Sequence, residues 1–263
     1  MSEHPIAQRW RSLRGNAVRR AALIPYLTAG FPTPARSLEA LRVVADAGAD
    51  FIEVGIPFSD PLADGPTIQR STQTALDQGM TVARVLEQIH QAALTVPVIV
   101  MTYLNPVLAF GVERFVRDAA AAGVSGLVLT DFPAGADPDI EALVAASPLV
   151  GIRLIAPTTS PERLTRTVRG ASGFLYLISR LGVTGARDQV PPDLAGHVAR
   201  VRAASPLPVA VGFGIGTPAQ ARATAALADG VVVGSAIVAA LGQDGVGAVE
   251  RLVRELAAAL RAP

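Results

Sequence analysis

Neither cysteine nor lysine occurs in the 263 residues, and histidine occurs only at His4, His90 and His197. Without a thiol there is no disulfide, no thiolate nucleophile and no thiolate metal site. Without lysine there is no Schiff base to a substrate carbonyl and none to pyridoxal phosphate. Three scattered histidines do not suggest a zinc centre, and no metal site is expected. All 23 basic residues are arginine, set against 22 acidic ones for a net charge of +1. No basic run or aromatic-basic stripe is present, which argues against a nucleic-acid partner. Whatever chemistry the chain performs must use carboxylates, hydroxyls, backbone amides or arginines.

Apolar material, by contrast, is plentiful. Hydrophobic residues make up 50% and charged residues 17% of the chain, and mean hydropathy is +0.40. That composition supports a large core and excludes disorder. The longest uncharged run, 88–112, could span a bilayer by length, but Gln88, Gln91, Pro97, Asn105 and Pro106 interrupt it. Arg19-Arg20 followed by a short apolar stretch imitates a secretion signal that Pro25, Tyr26 and Thr28 break. The expectation is a soluble, cytoplasmic protein with no membrane contact.

Eight short apolar runs punctuate the chain at 23–27, 51–54, 98–101, 126–129, 151–155, 174–178, 209–211 and 231–233. Most are apolar at consecutive positions, as parallel strands covered on both faces require. Helical periods fall between them at 34–47, 82–94, 112–122, 138–146, 161–168, 194–204, 218–227 and 248–260. Thr33-Pro34, Ser160-Pro161 and Thr217-Pro218 each place a capping hydroxyl before proline at a helix start. Ala47–Phe51, Ala121–Gly126 and Leu227–Gly230 read as helix C-caps leading into strands. No linker divides the chain. Eight β/α units in one domain, 1–263, predict an α/β fold: a single (β/α)8 TIM barrel. A doubly wound sheet would carry a glycine-rich nucleotide loop after its first strand. Thr28-Ala29-Gly30-Phe31-Pro32 is not one.

In such a barrel, function gathers at the C-terminal ends of the strands. Glu53 lies inside an apolar run, where burial would raise its pKa towards neutrality and suit it to proton transfer. A structural glutamate hydrogen-bonded in the core fits the same pattern equally well. Asp60 and Asp64 follow in a loop with Pro57, Pro61 and Pro66. Asp64 alone reads as a turn or cap residue before a helix near Thr67, although two acids in so long a loop exceed what turn closure needs. Gly212, Gly214 and Gly216 after the seventh strand, with Gly234 and Ser235 after the eighth, suit a phosphate site; tight-turn glycine is the plainer reading of either loop. Residues 179–187 after the sixth strand, with Gly182 and Gly185, suit a mobile lid or an ordinary loop. Residues 101–106 and 129–133 add apolar and aromatic lining. Together these describe a phosphate pocket, an apolar cavity and a pair of acids, which fits lyase or isomerase chemistry on an apolar phosphorylated molecule.

The segments LIPYLTAG (23–30), FIEVGIPFSDPLADGPTIQ (51–69), MTYLNP (101–106), LVLTDFP (127–133), SRLGVTGAR (179–187), VGFGI (211–215) and VGSAIV (233–238) occur in this order. Together they resemble the tryptophan synthase alpha chain family over nearly the whole barrel. The resemblance implies a (β/α)8 lyase that splits indole-3-glycerol phosphate into indole and glyceraldehyde 3-phosphate. It also implies an alpha2beta2 complex in which indole passes to a beta chain that carries pyridoxal phosphate, with no cofactor in this chain. On that matching Glu53 is the general acid-base, Asp64 is the second catalytic carboxylate, and Tyr176 lies beside Glu53. Gly185, Gly214, Gly234 and Ser235 would bind the phosphate. Tyr26, Met101, Val128, Phe213 and Val232 would line the indole cavity. Thr184 would meet Asp64 on lid closure, and Asp60 would face the beta chain. Phe31 stands where the family pattern has aspartate, near that same interface. Alternative readings are a stand-alone indole-3-glycerol-phosphate lyase, a phosphoribosyl isomerase barrel, and a non-catalytic activator of a beta chain; retention of both acids argues against the last two.

Overall fold

The computed structural model describes residues 3–15, 21–179, 191–212 and 214–261. Among them are nine parallel strand segments: β1 (Ala22–Thr28), β2 (Ile52–Gly55), β3 (Val98–Thr102), β4 (Val124–Leu129), β5 (Val150–Gly151), β6 (Arg153–Ile155), β7 (Leu175–Ile178), β8 (Val209–Gly212) and β9 (Gly230–Val233). They pair in the order β5-β4-β3-β2-β1-β9-β8-β7-β6. Only Ile152 separates β5 from β6, and its N–H donates to Leu127 O at 2.9 Å. The run expected as a fifth strand is therefore one wall of the barrel, recorded as two segments. It changes neighbour at Ile152, pairing with β4 before it and β7 after it, and this crossover closes the eight-unit barrel.

The helices are α1 (Pro5–Arg14), α2 (Pro34–Asp46), α3 (Pro66–Asp77), α4 (Val82–Ala92), α5 (Leu104–Phe110), α6 (Val112–Ala121), α7 (Pro138–Ala146), α8 (Pro161–Arg169), α9 (Leu194–Ala204), α10 (Pro218–Ala225), α11 (Ser235–Asp244) and α12 (Val246–Arg261). All eight expected helices are present with ends within two residues. Thr33, Ser160 and Thr217 each accept the N–H of the third residue on, and Thr217 with Gln220 completes a capping box. Each such cap contributes about 1 kcal/mol. Two of the three expected C-terminal signals act as stops, with Gly48 (φ 112) and Gly123 (φ 96) left-handed. The third does not. α10 closes right-handed at Ala226, and Gly230 opens β9, where an added Cβ would press on Trp10 at 3.0 Å. No helix among the described residues is long and apolar enough to cross a membrane.

Strand alternation divides the apolar residues into two cores. Outward side chains such as Leu23, Leu27, Ile52, Val54, Leu127 and Val231 pack under the helices. Inward ones such as Ile24, Ile99, Val128, Ile152 and Val232 fill the barrel. The end at which the strands begin is stoppered by α1, whose Ile6, Trp10 and Leu13 follow the i, i+4, i+7 stripe of a buried helix face. Trp10 lies 5.0 Å from Phe51 and 5.7 Å from Phe174, centroid to centroid. With that end closed by large rings, the opposite end is left for a ligand.

Candidate active site

At the open end each strand contributes its last inward residues. Tyr26 on β1 is level with Glu53 on β2; Glu53 is level with Ile99, and Gly55 with Met101, on β3; Met101 is level with Val128 on β4; and Ile24 is level with Val232 on β9. Four expected lining residues, Tyr26, Met101, Val128 and Val232, thus share the interior with Glu53. Tyr26 also packs with Ile68 of α3 and Val238 of α11. Sequence reading passed over those two, although both lie in the first turn of a helix that follows a strand end.

Glu53 is 2% exposed. Its neighbours Ile52 and Val54 point outward, so alternation turns the carboxyl into the barrel. Burial is the larger cause, and the nearby charge of Asp64 the lesser, of a pKa raised to about 8. Asp64 stands on the loop after β2, half-buried, with a pKa raised to about 6. Burial raises it, and the hydroxyl of Tyr103 restrains the rise. Around neutrality the pair therefore holds one proton, on Glu53, and one negative charge, on Asp64. Two carboxyls pushed apart in this way can act as an acid and an anion in the same cavity.

Asp64 is not the helix cap that local sequence suggested. Gly65 is the N-cap of α3, without a side-chain cap. The Asp64 carboxylate instead accepts from Tyr103 Oη at 3.1 Å. Tyr103, at the end of β3, is a site residue that sequence reading treated only as lining, because the contact spans thirty-nine positions. Tyr176 and Tyr26 are buried, and burial first, then the acids, pushes both phenols well above their ordinary value. Close approach explains two glycines here. A Cβ on Gly55 would stand 2.0 Å from Tyr26 Oη, and one on Gly212 would stand 2.4 Å from Tyr176 Oη. Gly212 thus clears room for a tyrosine.

The two glycine loops expected to hold phosphate lie side by side because β8 and β9 pair. Gly214 takes φ 86. Gly234 is the N-cap of α11, which begins at Ser235; its carbonyl accepts from Ile237 and Val238 N–H, and the amides of Ser235 and Ala236 lie ahead of any carbonyl one turn back. Such a helix start attracts an anion through its amides and dipole. Asp60 is exposed and bonded to its neighbour Ser59. Thr184, Gly185 and Phe213 lie outside the described residues. Among the described residues no three His, Cys, Asp or Glu side chains are grouped to hold a metal.

A family model described as tryptophan synthase alpha chain matches residues 14–261. The chain belongs to the tryptophan synthase alpha chain family. A tryptophan synthase alpha chain from Gluconacetobacter diazotrophicus is 46% identical over 267 residues, covering 98% of this chain and 97% of its own. A structure of Mycobacterium tuberculosis tryptophan synthase superposes with a TM-score of 0.91 at 43% identity, covering both chains completely. Tryptophan synthase subunit alpha from Legionella pneumophila superposes with a TM-score of 0.89 at 34% identity, over 98% of this chain and 99% of that one. The alpha reaction of this family is cleavage of indole-3-glycerol phosphate, so the chain is a carbon-carbon lyase of tryptophan biosynthesis, with a small-molecule substrate and a beta-chain partner. Phe31, the one departure noted in the pattern, packs against the Tyr26 cluster. It also abuts α11 so closely that a Cβ on Gly242 would stand 2.8 Å from its ring.

Proposed function

We propose that Glu53 and Asp64 divide the chemistry of the alpha reaction between them. Glu53, protonated at neutrality, gives its proton to C3 of the indole ring. The ring nitrogen becomes cationic, and the Asp64 carboxylate stabilises it. Glu53, now a carboxylate, takes the proton from the glycerol hydroxyl on the carbon bonded to C3. That hydroxyl carbon becomes the aldehyde of glyceraldehyde 3-phosphate, the C–C bonding pair returns to the ring, and neutral indole leaves. Glu53 ends the cycle protonated, and no Schiff base is needed, as the lack of lysine demands. The observation that carries this reading is the geometry of the two acids, Glu53 buried on β2 level with Tyr26 and Asp64 held on the following loop by Tyr103, in a site whose burial raises the pKa of both.

Tyr176 sits beside Glu53 in this reading, and Tyr26, Met101, Val128, Phe213 and Val232 hold the indole. The phosphate binds at Gly185, Gly214, Gly234 and Ser235, and Thr184 meets Asp64 when the lid closes. One catalytic domain, 1–263, works in the cytoplasm as half of an alpha2beta2 complex whose pyridoxal phosphate belongs to the beta chain. Asp60 faces that chain. The same loop exposes Leu62 at 90%, and Leu108 on α5 is also exposed; apolar side chains left open on a functional rim favour a partner there. The test is indole release from indole-3-glycerol phosphate by the purified chain, with and without a beta chain. Slow release that rises sharply with the partner is expected. Release that is fast alone and indifferent to the partner would make it a stand-alone lyase, and none under either condition would remove the substrate.

A further inference from the structure

Between α7 and α8 the outer layer of helices opens onto a cavity of about 800 Å³, a volume typical of small-molecule sites. α7 packs against α6, and α8 against α9. The floor includes Leu127, Leu129, Gly151 and Arg153. The floor positions of β4 alternate with Gly126 and Val128, and Gly151 and Arg153 flank Ile152, so this part of the floor is the outside of the barrel; the lining also takes the inward Ile152 and Leu154, where the cavity reaches the rim. From α8 the lining takes the exposed Arg163, Arg166 and Arg169 and the half-buried Thr167, beside the stripe of Leu164 and Val168 that the helix turns to the core. The only buried residue of α8 is Leu164.

The charges here do not balance. Of the two acids in the lining, Asp131 accepts from Leu104 N–H at 2.7 Å. Glu141 accepts from both Arg153 at 2.6 Å and Gly135 N–H at 3.0 Å. Arg153 Nε is buried without a hydrogen-bond partner, and its guanidinium carbon lies 5.8 Å from the Phe132 ring centroid. Among the described residues no carboxylate pairs with Arg163, Arg166 or Arg169, all of which line the cavity. Four guanidinium groups therefore share a pocket with two occupied acids, beside apolar walls supplied by Leu129, Val144 and Phe132.

We propose that the outer part of this cavity, between α7 and α8, is a second ligand site for a small organic anion. Its carboxylate or phosphate head would be gripped by Arg153, Arg163 and Arg166, planar donors suited to either group, and its apolar body would lie on Leu129, Val144 and the Phe132 ring. The anion competes with Glu141 for Arg153. The proposal does not depend on how Glu53 and Asp64 share the reaction.

The test uses the full chain and 4-fluorobenzoate, followed by the broadening of its fluorine resonance. Binding is expected to persist when the barrel mouth is saturated with 3-indolylpropyl phosphate, the substrate without its glycerol hydroxyls. Arg163→Ala with Arg166→Ala should weaken it about tenfold or more while leaving basal indole release unchanged. Glu141→Gln, which removes the competing charge, should tighten it. Displacement by inorganic phosphate would assign the head group to phosphates, and failure of phosphate to displace would assign it to carboxylates. No broadening, loss of binding to 3-indolylpropyl phosphate, or indifference to the paired arginine substitutions would each overturn the site.

Discussion

Tyr103 Oη donates to Asp64 Oδ2 at 3.1 Å and accepts the N–H of Ala63 at 3.0 Å. One side chain at the end of β3 thus holds both the acid and its neighbour on the loop after β2. An acidic side chain on a loop would otherwise sample many positions, and pre-set direction is what electrostatic stabilisation of a developing charge requires. The phenol also packs with Phe58 of the same loop, 5.3 Å between centroids.

Tyr103→Phe should therefore keep the fold and the ring contact and lose only the bond. Removing the hydroxyl takes away the interaction that lowers the pKa of Asp64, so the acid limb of the rate profile should move upward from about 6. A lost hydrogen bond to a charged group should cost roughly tenfold in kcat or more near neutrality. An unchanged limb and turnover would show that Tyr103 is lining only.

Glu53→Gln should abolish indole release, by roughly a hundredfold or more, and should make the protein more stable in alkali. In the folded chain Glu53 titrates near 8, and in the unfolded chain it titrates near the ordinary carboxyl value. Between those values the folded state holds the extra proton, so stability falls as pH rises, by about 1.4 kcal/mol per unit, until about pH 8. Glutamine removes that penalty. Melting curves at pH 5 and pH 9 should show the variant gaining on the wild type only at the higher pH; equal shifts at both would contradict a buried, proton-holding Glu53.

Gly212→Ala places a methyl group 2.4 Å from the unmutated Tyr176 hydroxyl. The ring must shift, at about 1–3 kcal/mol of stability, and kcat/KM should fall with it. Adding Tyr176→Phe removes the nearest contact but leaves the ring carbon Cζ at 2.9 Å, so it should recover part of the stability, but not the activity if that hydroxyl serves the site. Recovery of neither would place the strain elsewhere.

Much of this was legible before any coordinates. Parallel strands covered on both faces write themselves as unbroken apolar runs, and proline after a capping hydroxyl marks a helix start locally. Glu53 stood out because one carboxyl interrupted such a run. What was missed is non-local or short. The i, i+4, i+7 stripe of Ile6, Trp10 and Leu13 was present, but its value as a stopper depends on Phe51 and Phe174, far along the chain. α5 is only seven residues long and contains Pro106. α11 begins at Ser235, immediately after β9, without a side-chain cap. The Tyr103–Asp64 bond, and the tyrosines behind Gly55 and Gly212, depend on strand neighbours that no local spacing reveals.

The most direct test of the central claim is the pH dependence of kcat/KM for indole release by the wild-type chain. One carboxyl must be ionised and the other protonated, so a bell is predicted, with limbs at about 6 for Asp64 and about 8 for Glu53. Asp64→Asn should remove the acid limb from whatever activity remains. A rate that holds constant up to pH 9 or rises with alkali would contradict the account, because Glu53 would then be acting without the proton it is said to deliver.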